Sequence, residues 1–230
     1  MNEIAHSENE NGKTQLLLEH LENVARITSQ FSSKFDAKNL GYVAGLLHDI
    51  GKYNPDFQSY LKGSRKSSVD HKGPGVLFAM NILEPLSFLI SGHHGGLPSR
   101  QELKTKLKQW KSESYVEQAI KIAEKELPQL LKEVSFPEWF KDEPLSTEFF
   151  IRMLFSALVD ADFLDTESHF HADRTYRRET KVKLHELWEQ LEKYEENLTN
   201  QPQTPINEVR HHVYESCRDK AESSQGFFKL

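Results

Sequence analysis

Residues 40–52 read Leu-Gly-Tyr-Val-Ala-Gly-Leu-Leu-His-Asp-Ile-Gly-Lys, an apolar helical stretch that ends on a histidine, an aspartate and a glycine. Leu40, Val43, Ala44, Leu46 and Leu47 predict a helix over 38–50 that stops at Gly51. His48 and Asp49 therefore sit at the end of a helix that belongs in the interior. Adjacent residues on a helix point about 100° apart, but the last turn can unwind, so the two side chains can still converge. Imidazole and carboxylate are both ligands of borderline divalent metals. An unpaired buried carboxylate costs several kcal/mol, so an aspartate inside a nearly all-apolar helix, such as Asp160 or Asp162, needs a cation, a hydrogen-bond partner or a metal.

Working outward, the same chemistry recurs. His93 and His94, in Ser-Gly-His-His-Gly-Gly-Leu (91–97), close an apolar helix that starts at Pro85 and ends at Gly95 and Gly96. Asp70 and His71 precede Gly-Pro-Gly and a helix over 72–82. Asp160 and Asp162 lie in a segment, 145–164, that is apolar nearly all round, as expected of a central buried helix. His20 stands alone on an amphipathic helix over 14–29. A lone histidine on an apolar face, or a lone His-Asp dipeptide, is common by chance. The ordered set, drawn from five separate helices, is what predicts a metal site. Asp160 and Asp162 differ by about 200° around a helix, so both cannot readily face one point. Lys52, three residues beyond Asp49, is a candidate electrostatic partner for a phosphate; the plain alternative is a solvated lysine at a helix end, where cations are favoured.

Elsewhere glycine and proline fall between periodic segments, and no strand-like alternation runs for more than a few residues, so the chain is predicted all-α. Pro55 opens a short helix through Leu61, and Gly63–Val69 reads as a loop. Residues 99–133 read as surface helices, 174–198 as one long amphipathic helix, and 200–205 as a linker to a last helix through about residue 222. The expected organisation is a catalytic domain over 1–199 and an appendage over 200–230. Apolar residues at 37% suffice for a sizeable core. A net charge of −6 argues against a protein that coats nucleic acid by bulk charge, so any nucleic-acid path has to be local. Candidates are Arg65 and Lys66, then Arg100, Lys104, Lys106, Lys108 and Lys111, then Arg174, Arg177 and Arg178. The single cysteine, Cys217, allows no disulfide within the chain. With a polar N-terminus and no bilayer-length apolar run, this predicts a cytoplasmic protein with no membrane partner.

HDIGKYNPDFQSYL (48–61), DHKGPGV (70–76), SGHHGGL (91–97) and ALVDADFLDTE (157–167) resemble, in order and spacing, the HD nuclease domain of the CRISPR-associated helicase–nuclease of type I interference systems. That domain belongs to the histidine–aspartate (HD) metal-dependent phosphohydrolase superfamily. The resemblance implies an all-α HD-domain helical bundle with a dinuclear metal site among its central helices. It implies two divalent transition metal ions, Mn, Ni, Co or Fe, with Mg disfavoured. His20, His48, Asp49, His71, His93 and His94 match its ligand positions, with Asp49 as the bridge, and Asp49 and Lys52 match its catalytic positions. Its Ala-Asp-aromatic pattern, followed by Ser or Thr four residues after the Asp, selects Asp162 with Thr166; Asp160 stays as an alternate ligand or a residue behind the ligands. One ion would take His20, His48, Asp49 and Asp162, and the other Asp49, His71, His93 and His94.

The activity so implied is cleavage of single-stranded DNA by metal-activated water during CRISPR interference. The implied partners are a superfamily 2 helicase domain, normally in cis, and a crRNA-guided surveillance complex. TPINEVRHHVYESCRDKAESSQGFFKL (204–230) is similar to the segment just before the helicase phosphate-binding loop. The sequence contains no Gly-x-x-x-x-Gly-Lys-Ser/Thr motif, so the motor is expected outside this chain. His211 and His212, in that tail, are expected to be non-ligands. Two other readings of the same residues are hydrolysis of a small nucleotide and a non-catalytic helical docking module with a structural metal.

Overall fold

A computed structural model describes residues 3–131, 134–178, 183–199, 204–221 and 223–224. Among these the chain is all-α apart from one small hairpin, β1 (Ile4–His6) paired antiparallel with β2 (Gln15–Leu16). The helices are α1 (Leu17–Ser32), α2 (Lys38–Leu47), α3 (Pro55–Leu61), α4 (Lys72–Ile82), α5 (Glu84–Gly92), α6 (Arg100–Trp110), α7 (Ser114–Glu126), α8 (Pro144–Phe170), α9 (Ala172–Arg178), α10 (Leu184–Thr199) and α11 (Pro205–Lys220). Two compact units result, residues 1–178 and 179–230. The first holds α1 to α9. The second holds α10 and α11, so the expected linker at 200–205 falls inside it, and residues 200–203 of that linker lie outside the described set.

Local signals set most helix starts. Asn54 caps α3, its side chain accepting from the Asp56 N–H, with Pro55 at the first helical position. Ser99 and Glu102 form a reciprocal capping box at the head of α6. The core of the first unit is largely aliphatic: Leu17, Leu21 and Val24 of α1, Leu40, Leu46 and Leu47 of α2, Leu86, Leu89 and Ile90 of α5, and Phe150, Leu154 and Leu158 of α8 are all buried. Gly45 lets α1 and α2 touch backbone to backbone, since a Cβ there would stand 2.3 Å from Ala25 Cα.

Four sequence expectations change. The first helix begins at Leu17 rather than residue 14, because Gln15 and Leu16 pair with β1. The helix carrying the His-Asp pair ends at Leu47 and gives way to a 3₁₀ turn over Ile50–Tyr53. The long amphipathic helix over 174–198 is two helices, α9 and α10, with residues 179–182 outside the described set. Finally, α8 is not buried all round: Leu145, Phe149 and Phe163 are 79, 60 and 62% exposed, while Phe150, Leu154, Ala157, Leu158 and Ala161 form its inner face. Apolar composition alone did not separate its two faces. Residues 225–230 also lie outside the described residues. No helix of the described residues is long and apolar enough to cross a membrane.

Candidate metal centre

The helix ends do the positioning. His48 is the residue after α2 and keeps helical angles, but Asp49 leaves them at φ −124°, ψ 17°. This change of direction brings two adjacent side chains to one place. His71, just before α4, adopts nearly the same conformation, φ −123°, ψ 2°. His93 follows α5 directly. Gly51 completes the arrangement. A Cβ at Gly51 would lie 1.5 Å from the His71 carbonyl oxygen, so only glycine lets the His48-Asp49 turn and the His71 segment cross.

Asp49 is fully buried, and its two carboxylate oxygens face different histidines. Oδ1 stands 3.2 Å from His71 Nε2, 3.3 Å from His93 Nε2 and 3.7 Å from His94 Nε2. Oδ2 stands 3.6 Å from His20 Nε2 and 3.4 Å from His48 Nε2. Asp162 Oδ1 adds a second carboxylate to that side, 3.5 Å from His20 Nε2 and 3.6 Å from His48 Nε2. Asp160 points to the exposed side of α8. His211 and His212 are exposed in the second unit.

Three rings are fixed from behind. His48 Nδ1 lies 2.7 Å from the Gly45 carbonyl and His93 Nδ1 lies 2.7 Å from the Ile90 carbonyl. A carbonyl only accepts, so in both rings the Nδ1 carries the proton and donates it. The same i−3 geometry occurs at the ends of α2 and α5, where helix carbonyls otherwise lack partners. His20 Nδ1 donates to Asp165 Oδ2 at 2.7 Å, and Gln15 Nε2 donates to the same oxygen at 2.7 Å. Burial would raise the Asp165 carboxyl, but hydrogen bonds from His20, Gln15 and Asn23 hold it below its usual value. The Nε2 atoms of His20, His48 and His93 are thereby aimed at Asp49 and its neighbours, an orientation typical of metal-bound imidazoles.

These residues fit a divalent cation. Imidazole nitrogens about 2.0–2.1 Å from a common ion stand about 2.8–3.4 Å apart in octahedral or tetrahedral geometry. The His20 and His48 Nε2 atoms are 3.1 Å apart, as are those of His71 and His94. Asp49 Oδ2 is buried with no well-directed hydrogen bond. Ligand atoms of Asp49, His71, His93 and His94 lie within 4.8 Å of one another, and so do those of His20, His48 and Asp49. The donor set, imidazoles of His20, His48, His71, His93 and His94 with carboxylates, suits a divalent metal ion.

Electrostatics agree with this fit. Burial works to lower the His48 pKa, but the Asp49 and Asp162 carboxylates outweigh it and push the ring up to about 10. Burial takes His93 the other way, down to about 4, despite its contact with Asp49. Asp49 sits well below the usual carboxylate range, burial being outweighed by Lys52 and His48. Lys52 is buried rather than solvated: its Nζ is 2.7 Å from Asp49 Oδ2 and donates to the Ala5 carbonyl of β1 at 3.1 Å.

Several contributors carried no motif. Asp165 lies one helical turn beyond Asp162, and that i, i+3 spacing was the one signal available for it. Gln15 and Ala5 come from the hairpin, which Gln58 pins by hydrogen bonds to both the N–H and the carbonyl of Ile4. His6, also in β1, packs edge-on against His20 with ring centroids 4.8 Å apart. Of the basic candidates, Arg65 pairs with Asp56, Arg177 with Asp173 and Arg178 with Glu167.

The HD domain family matches residues 17–134, half of the chain, including His20, His48, Asp49, His71, His93 and His94. The chain belongs to the HD domain family. Its fold is accordingly the HD helical bundle, and its class is metal-dependent phosphohydrolase. Asp162 and Asp165 lie beyond the matched span, on the helix that closes the site. No curated protein matches the chain.

Proposed function

We propose that this HD domain is a nuclease that hydrolyses phosphodiester bonds of single-stranded DNA, acting in CRISPR interference beside a superfamily 2 helicase and a crRNA-guided surveillance complex. One observation carries the hydrolytic part: each oxygen of Asp49 faces its own set of imidazole nitrogens, so one carboxylate can bridge two cations. The ligand sets are His20, His48, Asp49 and Asp162 on one side, and Asp49, His71, His93 and His94 on the other. Divalent ions held by these two sets would supply Lewis acidity toward a phosphodiester and toward water at neutral pH.

The chain's own residues do the rest. Asp49 keeps the two ligand sets in register. Gly45, Ile90 and Asp165 fix the rings of His48, His93 and His20, so no reorganisation is needed when phosphate arrives. Lys52 holds a positive charge beside the bridging carboxylate, where charge develops on the phosphate. The ligand sets differ in access. In the first set His20 and His48 are 0% and Asp162 16% exposed, whereas in the second His93 is 0%, His71 13% and His94 39% exposed. An opening on the His71 and His94 side suits a long strand laid across the site, and this supports the nuclease reading together with the motif order.

Circular single-stranded DNA, incubated with the protein and each of Mn, Co, Ni, Mg and Zn, tests the proposal. Nicking is expected with transition metals, and His48→Ala or Asp49→Ala should abolish it while helical content stays the same. Turnover of deoxynucleotides or cyclic nucleotides with no nicking would assign the site to a small-nucleotide hydrolase instead.

A further inference from the structure

α6 is the most basic described element of an acidic chain. It carries Arg100, Lys104, Lys106, Lys108 and Lys111 at and just after its span, against one carboxylate, Glu102, which is occupied in the capping box. At 100° per residue, Arg100, Lys104, Lys108 and Lys111 fall within an arc of about 80°. All four are exposed, and none forms an ion pair among the described residues. This sets them apart from Arg65, Arg177 and Arg178. The helix is seated by Leu103 and Trp110, both buried, so its basic arc has a fixed base.

Both ends of α6 are tied to the open half of the metal centre. Its N-terminus follows His94 by six residues, through the glycine-rich turn at Gly95 and Gly96. At its C-terminus, Trp110 Nε1 donates to Asp70 Oδ2 at 2.8 Å, and Asp70 is the neighbour of His71. Trp110 also lies against Gly73 in the first turn of α4, where a Cβ would meet the indole at 2.8 Å. The helix, about 16 Å long at 1.5 Å per residue, therefore flanks His94, the most exposed of the candidate ligands, and the partly exposed His71. On the other side His20 and His48 are fully buried, and Asp162 is the one partly exposed member.

We infer that the Arg100, Lys104, Lys108 and Lys111 arc of α6 is the track that holds the phosphate backbone of a single-stranded nucleic acid as it enters the metal centre. This rests on the nuclease reading above and gives it a substrate path. The arc supplies a local positive field that the net charge of −6 otherwise opposes. It is sequence-independent by nature, since lysine and arginine on such a track hold phosphates and not bases.

The test compares the manganese-loaded full chain with its R100Q/K104Q/K108Q/K111Q variant on two substrates, a labelled thymidine homopolymer of about twenty nucleotides and bis(p-nitrophenyl) phosphate, a diester too small to reach α6. The ratio of kcat/KM on the strand to that on the small diester is expected to fall at least about tenfold. The slope of log affinity against log salt should flatten by up to about 3, near 0.7 for each phosphate that the variant no longer neutralises. An unchanged ratio and slope, with the strand still cut, would overturn the track and leave the nuclease reading standing. Equal loss on both substrates would also overturn it, because α6 would then be supporting the site and not the strand. Hydrolysis of the small diester by the unaltered chain, with neither binding nor cleavage of the strand, would overturn the nuclease reading and the track together.

Discussion

The Nε2 atoms of His20 and His48 face one another at 3.1 Å, and both rings have committed their other nitrogen to a fixed acceptor, Asp165 and the Gly45 carbonyl. Two lone pairs cannot share that space without a cation between or beside them. With Asp49 Oδ2 and Asp162 Oδ1 within 3.6 Å, the pocket carries more negative charge than its neighbours offset. A proton on His48 relieves this when no metal is bound, which is the physical content of its raised pKa.

Metal binding must then displace that proton. Only the neutral ring is a ligand, so affinity on the His20 and His48 side rises with pH and levels off near the ring's value of about 10. His93, lowered to about 4, is already neutral at pH 7 and releases nothing. Calorimetric titration with Mn at pH 8, in two buffers of different ionisation enthalpy, should report release of about one proton from His48. Binding with no proton release would mean that the His48 ring is neutral before the metal arrives.

Gly51→Ala should disrupt the centre without touching a ligand. The new Cβ would meet His71 O at 1.5 Å and His71 C at 2.5 Å, and both are backbone atoms that cannot swing aside. The His-Asp turn and the His71 segment have to separate. A destabilisation of about 2–3 kcal/mol is expected, in the range of overpacked interiors, together with weakened metal binding. Gly95→Ala is the comparison: nothing lies within 4 Å of its Cβ, so its chemical denaturation midpoint should stay near that of the unaltered chain. Equal midpoints for the two variants would show that the segments cross with room to spare.

His48, Asp49, His71, His93 and His94 were legible because each ends or opens a helix, and helix ends are marked by glycine and proline in this chain. His20, inside α1, has no such mark and was singled out only by its place in the ordered set. Burial of the central helices followed from periodicity. What the pattern did not carry has a common cause. Gln15, Ala5 and His6 act through a hairpin whose strands are three and two residues long, too short for alternation to register. Asp165 acts on a residue 145 positions away, and no local signal encodes such a pairing. The exposed face of α8 was hidden for the opposite reason, since its outer residues are as apolar as its inner ones. Ion pairing set Arg65, Arg177 and Arg178 apart from the other basic candidates and left Lys66, Arg174 and the α6 group, a distinction that depends on neighbours in space.

Three aspartates on α8 offer the sharpest test of how that helix serves the site. Asp162 faces His20 and His48, Asp165 grips the back of His20, and Asp160 is exposed. Asp162→Ala removes a candidate ligand and should cost the largest part of the metal affinity on that side. Asp165→Ala removes no candidate ligand but takes away the acceptor shared by His20 and Gln15, so the His20 ring can turn and exchange its donor and acceptor nitrogens; a drop of roughly 10–100-fold in affinity is expected, the usual cost of removing a partner behind a ligand. Asp165→Asn, which keeps an acceptor oxygen, should recover part of it. Asp160→Ala should leave affinity within about twofold, as at other exposed positions. Titration with Co, followed by visible absorption, reads both affinity and ligand geometry. The reverse order, with Asp160→Ala the most damaging, would mean that α8 turns its other face to the metal and that the ligand set has to be rebuilt around Asp160.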